Sequence, residues 1–195
     1  GHVSALPAHD RGHVTFGTLT RSVRINHRSI KVWSQILHRV PGARLVVDSM
    51  NYRDQSMRSA LLDKFSAHGI GPERLEIGFH SPPWDVLRGM DIGLDCFPHN
   101  SGTTLFESLF MGVPFITLAG RPSVGRLGSS ILHGVGHPEW IARSEDEYID
   151  KAVALASALP KLAALRAGLR AQMQASALMD EPGFARKVEA AYREM

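Results

Sequence analysis

The chain has 195 residues, 44% of them hydrophobic, which allows one well-formed core and leaves little room for two full domains. Its formal net charge is only +3, and its 22 basic residues are scattered without interleaved aromatic residues, which argues against a nucleic-acid partner. No apolar run approaches the roughly 20 residues of a membrane span and no signal peptide is visible, so we expect no membrane partner. The single cysteine, Cys96, excludes an internal disulfide and fits a cytoplasmic location.

The beginning of the chain differs in character from the rest. Residues 1–12 (GHVSALPAHDRG) contain Pro and Gly without a hydrophobic period, and we interpret them as a linker or a cloning remnant before one domain at residues 13–195. Apolar runs then predict strands at residues 13–17, 43–48, 74–79, 91–95, 113–119 and 140–142. Helical periods and caps predict helices from the Asn26 cap to Pro41-Gly42, at 54–68, 82–88, from 100–104 to Gly112, and at 123–133, 145–158, 160–177 and 182–193.

This alternation of strands and helices predicts an α/β fold with an open, mostly parallel, doubly wound sheet. In the usual strand order 3-2-1-4-5-6, the first and fourth strands are neighbours, and ligands bind beyond their carboxyl ends. Two predicted loops meet at that edge. One covers residues 18–25 and carries Arg21 and Arg24, and the other covers residues 96–102. We therefore expect a ligand between these two loops.

The second loop enters a helix through small polar residues, namely Asn100, Ser101, Gly102, Thr103 and Thr104. The first amides of a helix have no partner inside it and lie at the positive end of its dipole, so they favour an anion such as phosphate. Gly102 permits close approach to the backbone, and the two Thr hydroxyls add neutral donors. This entry is therefore a candidate phosphate site.

Glu107 lies one turn further along the same helix. Its carboxylate can accept two hydrogen bonds from vicinal hydroxyls such as those of a ribose. It falls outside the apolar stripe that we expect to face the core, formed by Leu105, Phe106, Leu109 and Phe110. The alternative is an ordinary Ser/Thr helix cap with a solvated Glu107 and a solvated Arg24, because Ser and Thr are favoured caps in any case.

Signatures of several other protein classes are missing. There is no GxxxxGK[ST] and no GxGxxG after the first strand, which excludes a P-loop NTPase and disfavours a classical dinucleotide oxidoreductase. The ten His lack HExxH spacing and no GxSxG elbow occurs. We interpret His133 and His137, which flank a Gly-Val-Gly turn, as structural. We expect no metal and no cofactor.

Three segments of the chain resemble one known family. They are HVTFGTLTRSVRINHRSIKVWSQILHRVPGARL, LDCFPHNSGTTLFESLFMGVPFITLAG and RLGSSILHGVGHPEWIARSEDEYIDKAVALA. In this order they are similar to the C-terminal half of the O-linked N-acetylglucosaminyltransferases, including bacterial homologues and the related SPINDLY-type fucosyltransferases. The resemblance covers nearly everything from His13 onward. It implies a GT-B glycosyltransferase in which this Rossmann-like domain binds the nucleotide-sugar donor, usually UDP-GlcNAc.

The resemblance also implies a reaction and further partners. The sugar would be transferred to an acceptor hydroxyl, such as that of a protein Ser or Thr, with an acceptor lobe and tetratricopeptide repeats upstream. No catalytic residue is assigned within the present chain. Two other interpretations stay open: a noncatalytic nucleotide- or phosphate-binding module that has lost transferase activity, and a scaffold domain that binds proteins.

The resemblance assigns roles to the residues of the helix entry. Residues 100–104 match an Asn-Gly-His-Thr-Thr segment that contacts the diphosphate in the family, and Glu107 matches its ribose-binding acid. Arg24 matches a diphosphate-binding Lys. Gly102 stands where the better-studied members have His, which removes one possible phosphate donor, and an Arg keeps the charge of Lys but changes its geometry.

The remaining assignments concern the sugar and the base. By resemblance, His99 lies near the donor sugar together with Asn100 and Ser101. The segment before the fourth strand, which includes Trp84 and Arg88, should approach the base. Because this segment (SPPWDVLRGMD) aligns poorly with the family, the resemblance does not fix the base.

Overall fold

The structure, a computed structural model, describes all residues from 1 to 195. Its centre is a six-stranded sheet in the order β3-β2-β1-β4-β5-β6, and every neighbouring pair is parallel. The strands are β1 (Thr15–Leu19), β2 (Arg44–Asp48), β3 (Leu75–Gly78), β4 (Ile92–Leu94), β5 (Phe115–Leu118) and β6 (Ile141–Ala142). The predicted doubly wound α/β fold and its strand order are confirmed.

Helices connect the strands and complete the chain. They are α1 (Pro7–Arg11), α2 (His27–Arg39), α3 (Gln55–Ser66), α4 (Trp84–Gly89), α5 (Thr103–Phe110), α6 (Leu127–Val135), α7 (Glu145–Ala156), α8 (Leu159–Gln174) and α9 (Glu181–Glu194). No single helix is both long and apolar enough to cross a membrane, although α7 and α8 together, bent by 92°, meet that test on length and composition.

Helix α2 shows how local sequence determines an element here. The side chain of Asn26 accepts hydrogen bonds from the amides of Arg28 and Ser29, which caps two otherwise free donors. Trp33 and Ile36 lie on the face that is buried in the core. The helix starts at the predicted cap, and its packed face fixes the position of the preceding loop, which carries Arg24.

Helix α5 packs through the stripe that the sequence predicts. Leu105 and Leu109 are buried, whereas Phe106 and Phe110 are half-buried against the same core. After the helix, Gly112 adopts φ +77°, a backbone conformation that favours glycine. Because one side of α5 is anchored in this way, its first turn is held in place at the edge of the sheet.

Residues 1–12 do not form the predicted linker. Leu6 and Ala8 are buried in the main core, and the amide of Ala8 donates to Asp91 Oδ1 at 3.0 Å. Pro7 and Gly12 delimit the short helix α1. These local signals are present in the sequence, but the contact that fixes the segment spans 83 positions, so the sequence pattern could not reveal it.

A buried arginine attaches the same N-terminal segment to α8. The Nε atom of Arg166 donates to Ser4 O at 2.9 Å, and its Nη1 donates to Met90 O at 2.7 Å. Burial lowers the pKa of Arg166 to about 10, and the nearby Asp91 carboxylate opposes this shift. The N-terminal residues thus pack as part of the domain.

Candidate functional site

An open cleft of about 580 Å³ lies at the carboxyl ends of the strands. Leu19 and Thr20 line it from the end of β1, Asp48 from the end of β2, and Phe79 from the residue after β3. Thr104, in the first turn of α5, also lines it. Ligands of doubly wound sheets bind at this edge, so the cleft is where the predicted topology expects a site.

The N-terminus of α5 is open toward solvent. The amides of Gly102, Thr103 and Thr104 donate to no acceptor within the chain, and no side chain caps the helix. A methyl group added at Gly102 would meet no atom within 4 Å. Three donors at the positive end of a helix dipole are therefore available to an external anion.

Arg24 lies next to this helix entry. It ends a short 3-10 turn, Ser22–Arg24, in the loop after β1. Its Nη1 donates to the carbonyl oxygen of Asn100 at 3.1 Å, although the two residues are 76 positions apart. The structure thus places the Arg24 guanidinium against the second loop at Asn100, two residues before Gly102.

A buried carboxylate, that of Asp95, anchors the second loop. Asp95 follows β4, and its Oδ1 and Oδ2 accept hydrogen bonds from the Ser101 amide and the Thr117 hydroxyl, both at 2.7 Å. Burial raises the pKa of Asp95 to about 7, against the opposing effect of these hydrogen bonds. The position of the helix entry therefore depends on Asp95.

Asn100 and Ser101 also support the loop. The Asn100 side chain donates to Cys96 O at 3.0 Å and accepts from the Gly128 amide at 3.3 Å, and both Asn100 and Ser101 are buried. Their polar groups are therefore largely occupied within the loop. By resemblance both residues were expected near the donor sugar. In the structure their hydrogen bonds hold the loop that precedes α5.

Cys96 and His99 belong to the same loop. The Cys96 thiol is buried and donates to His99 O at 2.9 Å, while burial raises its pKa to about 11. A thiol with that pKa is a poor nucleophile at neutral pH. His99 is half-buried, three residues before Gly102 in the same loop.

Glu107 lies one turn beyond Thr104 on α5 and is half-buried. Burial raises the pKa of its carboxyl group. The side chain makes no hydrogen bond and no salt bridge within the chain, so both carboxylate oxygens are available to a ligand.

Trp84 and Arg88 line a second open cleft, of about 530 Å³, next to the first. Arg88 pairs with Asp85, whereas Trp84 is half-buried and packs on a small apolar cluster. The two clefts have Phe79, His80 and Ser81 in common. The predicted base-binding segment is therefore adjacent to the cleft that contains Thr104.

The sequence reasoning missed a pair of side chains where the two clefts meet. Asp48 is 5% exposed, and its Oδ2 lies 2.6 Å from His80 Nδ1. The available signal was an acidic residue at the end of a predicted strand. Its partner is 32 positions away, so only the topology joins them.

The two histidines that were interpreted as structural lie away from the clefts. The His137 ring stacks on Trp140 at 4.0 Å and hydrogen-bonds to Glu139 and Gln172. His133 is exposed on α6. These contacts support a packing role for His137.

Comparison with known families identifies the chain. The family model described as glycosyl transferase family 41 matches residues 6–188. The chain belongs to glycosyltransferase family 41. This finding confirms the resemblance to that glycosyltransferase family.

Relatives of this family 41 domain include two plant proteins named as probable UDP-N-acetylglucosamine–peptide N-acetylglucosaminyltransferase SPINDLY. The one from Solanum lycopersicum is 38% identical over 199 positions, covering 100% of this chain and 21% of the relative. The one from Arabidopsis thaliana is also 38% identical, covering 100% of this chain and 22% of the relative. The chain thus spans about a fifth of the length of these relatives.

Solved structures agree on the fold. An O-GlcNAc transferase mutant, K341M, from Thermobaculum terrenum superimposes with a TM-score of 0.88 at 33% identity, covering 94% of this chain and 36% of that one. Anabaena Alr3699/HepE in complex with UDP matches with a TM-score of 0.65 at 14% identity, covering 94% and 51%. The second likeness shows the fold alone. The family 41 domain is thus Rossmann-like, with glycosyltransferases as its structural neighbours.

Proposed function

We propose that this family 41 domain binds the nucleotide-sugar donor of a glycosyltransferase, with UDP-GlcNAc as the expected donor. The observation that carries the proposal is the open N-terminus of α5, where the amides of Gly102, Thr103 and Thr104 are free and Arg24 lies alongside. The names of the plant relatives support the choice of donor and of a peptide acceptor.

In this proposal the diphosphate lies at the helix entry. The three amides and the free Thr104 hydroxyl donate to phosphate oxygens, and the helix dipole adds a favourable field. Arg24 supplies the positive charge, and its planar guanidinium can donate two hydrogen bonds to one phosphate group. The Asn100 carbonyl already accepts from one of its nitrogens, which fixes the orientation of the guanidinium.

The rest of the donor extends in two directions. Glu107 accepts hydrogen bonds from the ribose hydroxyls, because its carboxylate has no partner in the chain. The base enters the second cleft beside Trp84 and Arg88, where an indole ring can stack on a heterocycle. The sugar lies toward His99, at the open end of the loop.

The domain then assists departure of the nucleoside diphosphate. During transfer, the acceptor oxygen forms a bond to the anomeric carbon while the bond from that carbon to the phosphate oxygen breaks. Negative charge develops on the leaving diphosphate, and the Thr103 and Thr104 amides together with Arg24 stabilise it. Removal of one such donor typically lowers the rate by about 100- to 1,000-fold.

The acceptor and the group that takes its proton are proposed to lie in other parts of a longer protein, because the chain spans about a fifth of its relatives. We propose a Ser or Thr hydroxyl of a protein as the acceptor. The cytoplasmic location stays a prediction from the sequence.

A single hydroxyl provides the first test. We expect Thr104→Ala to weaken UDP binding about 10-fold, since a hydrogen bond from a hydroxyl to a charged phosphate contributes about 1.5 kcal/mol. Thr104→Ser keeps the hydroxyl and should bind nearly as the parent does. Isothermal titration calorimetry with UDP measures both, and circular dichroism checks that the fold is intact. Equal UDP affinity in all three proteins would argue against a phosphate at this hydroxyl.

A further inference from the structure

The pair formed by Asp48 and His80 has a defined hydrogen-bond geometry. Asp48 Oδ2 lies 2.6 Å from His80 Nδ1, and Asp48 Oδ1 accepts the backbone amide of His80 at 3.3 Å. The Asp48 side chain is 5% exposed, whereas that of His80 is 50% exposed. The buried carboxylate therefore holds an imidazole ring whose other edge is open.

His80 lies where the two clefts of the proposed donor site meet. Its side chain lines the cleft that contains Thr104 and also the cleft that contains Trp84 and Arg88. A nucleotide with its diphosphate at α5 and its base beside Trp84 must pass this junction. Nothing else in the chain forms a hydrogen bond with His80 Nε2, so this nitrogen is available to the ligand.

The carboxylate determines what Nε2 can do. A carboxylate only accepts hydrogen bonds, so Nδ1 of the ring must donate to Asp48. In the neutral ring, that proton on Nδ1 leaves Nε2 with a lone pair, and Nε2 is therefore an acceptor. It can pair with a ring N–H of a nucleobase, which uracil presents at N3 and cytosine does not.

We propose that His80, oriented by Asp48, accepts a hydrogen bond from the ring N–H of the donor's base and so selects uracil over cytosine. The inference rests on the proposed function, since it requires a nucleoside diphosphate in the two clefts. His80 is the specificity-determining residue, and Asp48 is a positioning residue that acts through it.

UDP and CDP provide the sharpest pair of probes, because their bases differ only at the edge that carries N3 and C4. We expect the 195-residue chain at pH 8 to bind UDP about 10-fold more tightly than CDP, since cytosine N3 would place one acceptor against another. His80→Ala should reduce this ratio to about 2-fold or less. His133→Ala, at an exposed position of α6, should keep the ratio of the parent.

Asp48→Asn tests the positioning role of Asp48, and it should reverse the preference for UDP over CDP. The Asn oxygen replaces Oδ1 as acceptor of the His80 amide, which places the Asn NH2 group against the ring. Nδ1 must then accept, so its proton moves to Nε2, and Nε2 becomes a donor to cytosine N3. We expect the affinity ratio to shift toward CDP, with long-range ¹H–¹⁵N NMR spectra showing the change of tautomer. A merely structural role would not produce this reversal.

The outcomes separate this inference from the function on which it rests. If the parent binds neither UDP nor CDP in calorimetric titrations, both the proposed function and the role of His80 are overturned. If the parent binds UDP but His80→Ala leaves the ratio of affinities unchanged, including by weakening both nucleotides equally, the donor site stands and the role of His80 is overturned.

Discussion

Replacing Asp95 with Asn should remove a pH-dependent loss of stability of about 3 kcal/mol between pH 5 and pH 8. Burial raises the pKa of Asp95 to about 7, well above the value of about 3.9 expected in the unfolded chain. The folded state therefore binds the proton more tightly than the unfolded state. The contribution of Asp95 is present below pH 4 and is lost as the pH rises through 7, about 4 kcal/mol in total.

The measurement is urea denaturation of the parent and of Asp95→Asn at several pH values. Asn does not titrate, so the difference between the two free energies of unfolding isolates Asp95. Asp54→Asn is the control, because hydrogen bonds from Ser56 lower the pKa of this exposed helix cap; Asp54 is therefore ionised in both the folded and the unfolded state above pH 5, and its difference curve should be flat from pH 5 to pH 8. A difference curve for Asp95 that is flat from pH 5 to pH 8 would refute this account of the buried carboxyl group.

Arg24→Ala should weaken binding of UDP by about 10- to 100-fold, since a hydrogen bond between charged partners contributes about 1.5–3 kcal/mol. The effect should depend on the phosphates. Uridine, which has none, should bind Arg24→Ala and the parent with equal affinity. Calorimetric titration with UDP and, by competition, with uridine measures both effects.

Two variants sharpen the interpretation of Arg24. Arg24→Lys keeps the charge but loses the planar guanidinium that can donate two hydrogen bonds to one phosphate, so we expect an intermediate affinity for UDP. Arg39→Ala removes the same charge at the end of α2, where Arg39 pairs with Asp150, and should leave UDP binding unchanged. The account of Arg24 fails if its removal weakens uridine and UDP equally, or weakens neither.

Local sequence predicts those parts of the fold that local interactions determine. Helix α2 starts at Asn26 as predicted because the cap and the apolar period are both visible within one turn. Strand β1 was predicted at residues 13–17 but runs from Thr15 to Leu19. Thr15 and Thr18 are buried in the sheet, and Thr18 pairs with Val47 of β2. The sequence alone ended the strand before Thr18, whereas pairing with β2 extends it to Leu19.

The same distinction between local and long-range interactions applies to the candidate site. The free amides from Gly102 to Thr104 follow from a short polar segment before an apolar helix, and the proximity of Arg24 follows from the strand order. The pair formed by Asp48 and His80 could not be predicted, because it depends on how two loops approach each other across the sheet edge. Sequence therefore predicts the free amides at the α5 entry and misses the side chains where the two clefts meet.

The central claim is that a diphosphate binds the free amides at the start of α5. The most direct measurement is a titration of the ¹⁵N-labelled chain with UDP, followed by ¹H–¹⁵N correlation NMR. We predict that the largest amide shifts occur at Gly102, Thr103 and Thr104 and saturate together with the calorimetric isotherm. Saturable UDP binding that leaves these three amides unshifted would contradict the account.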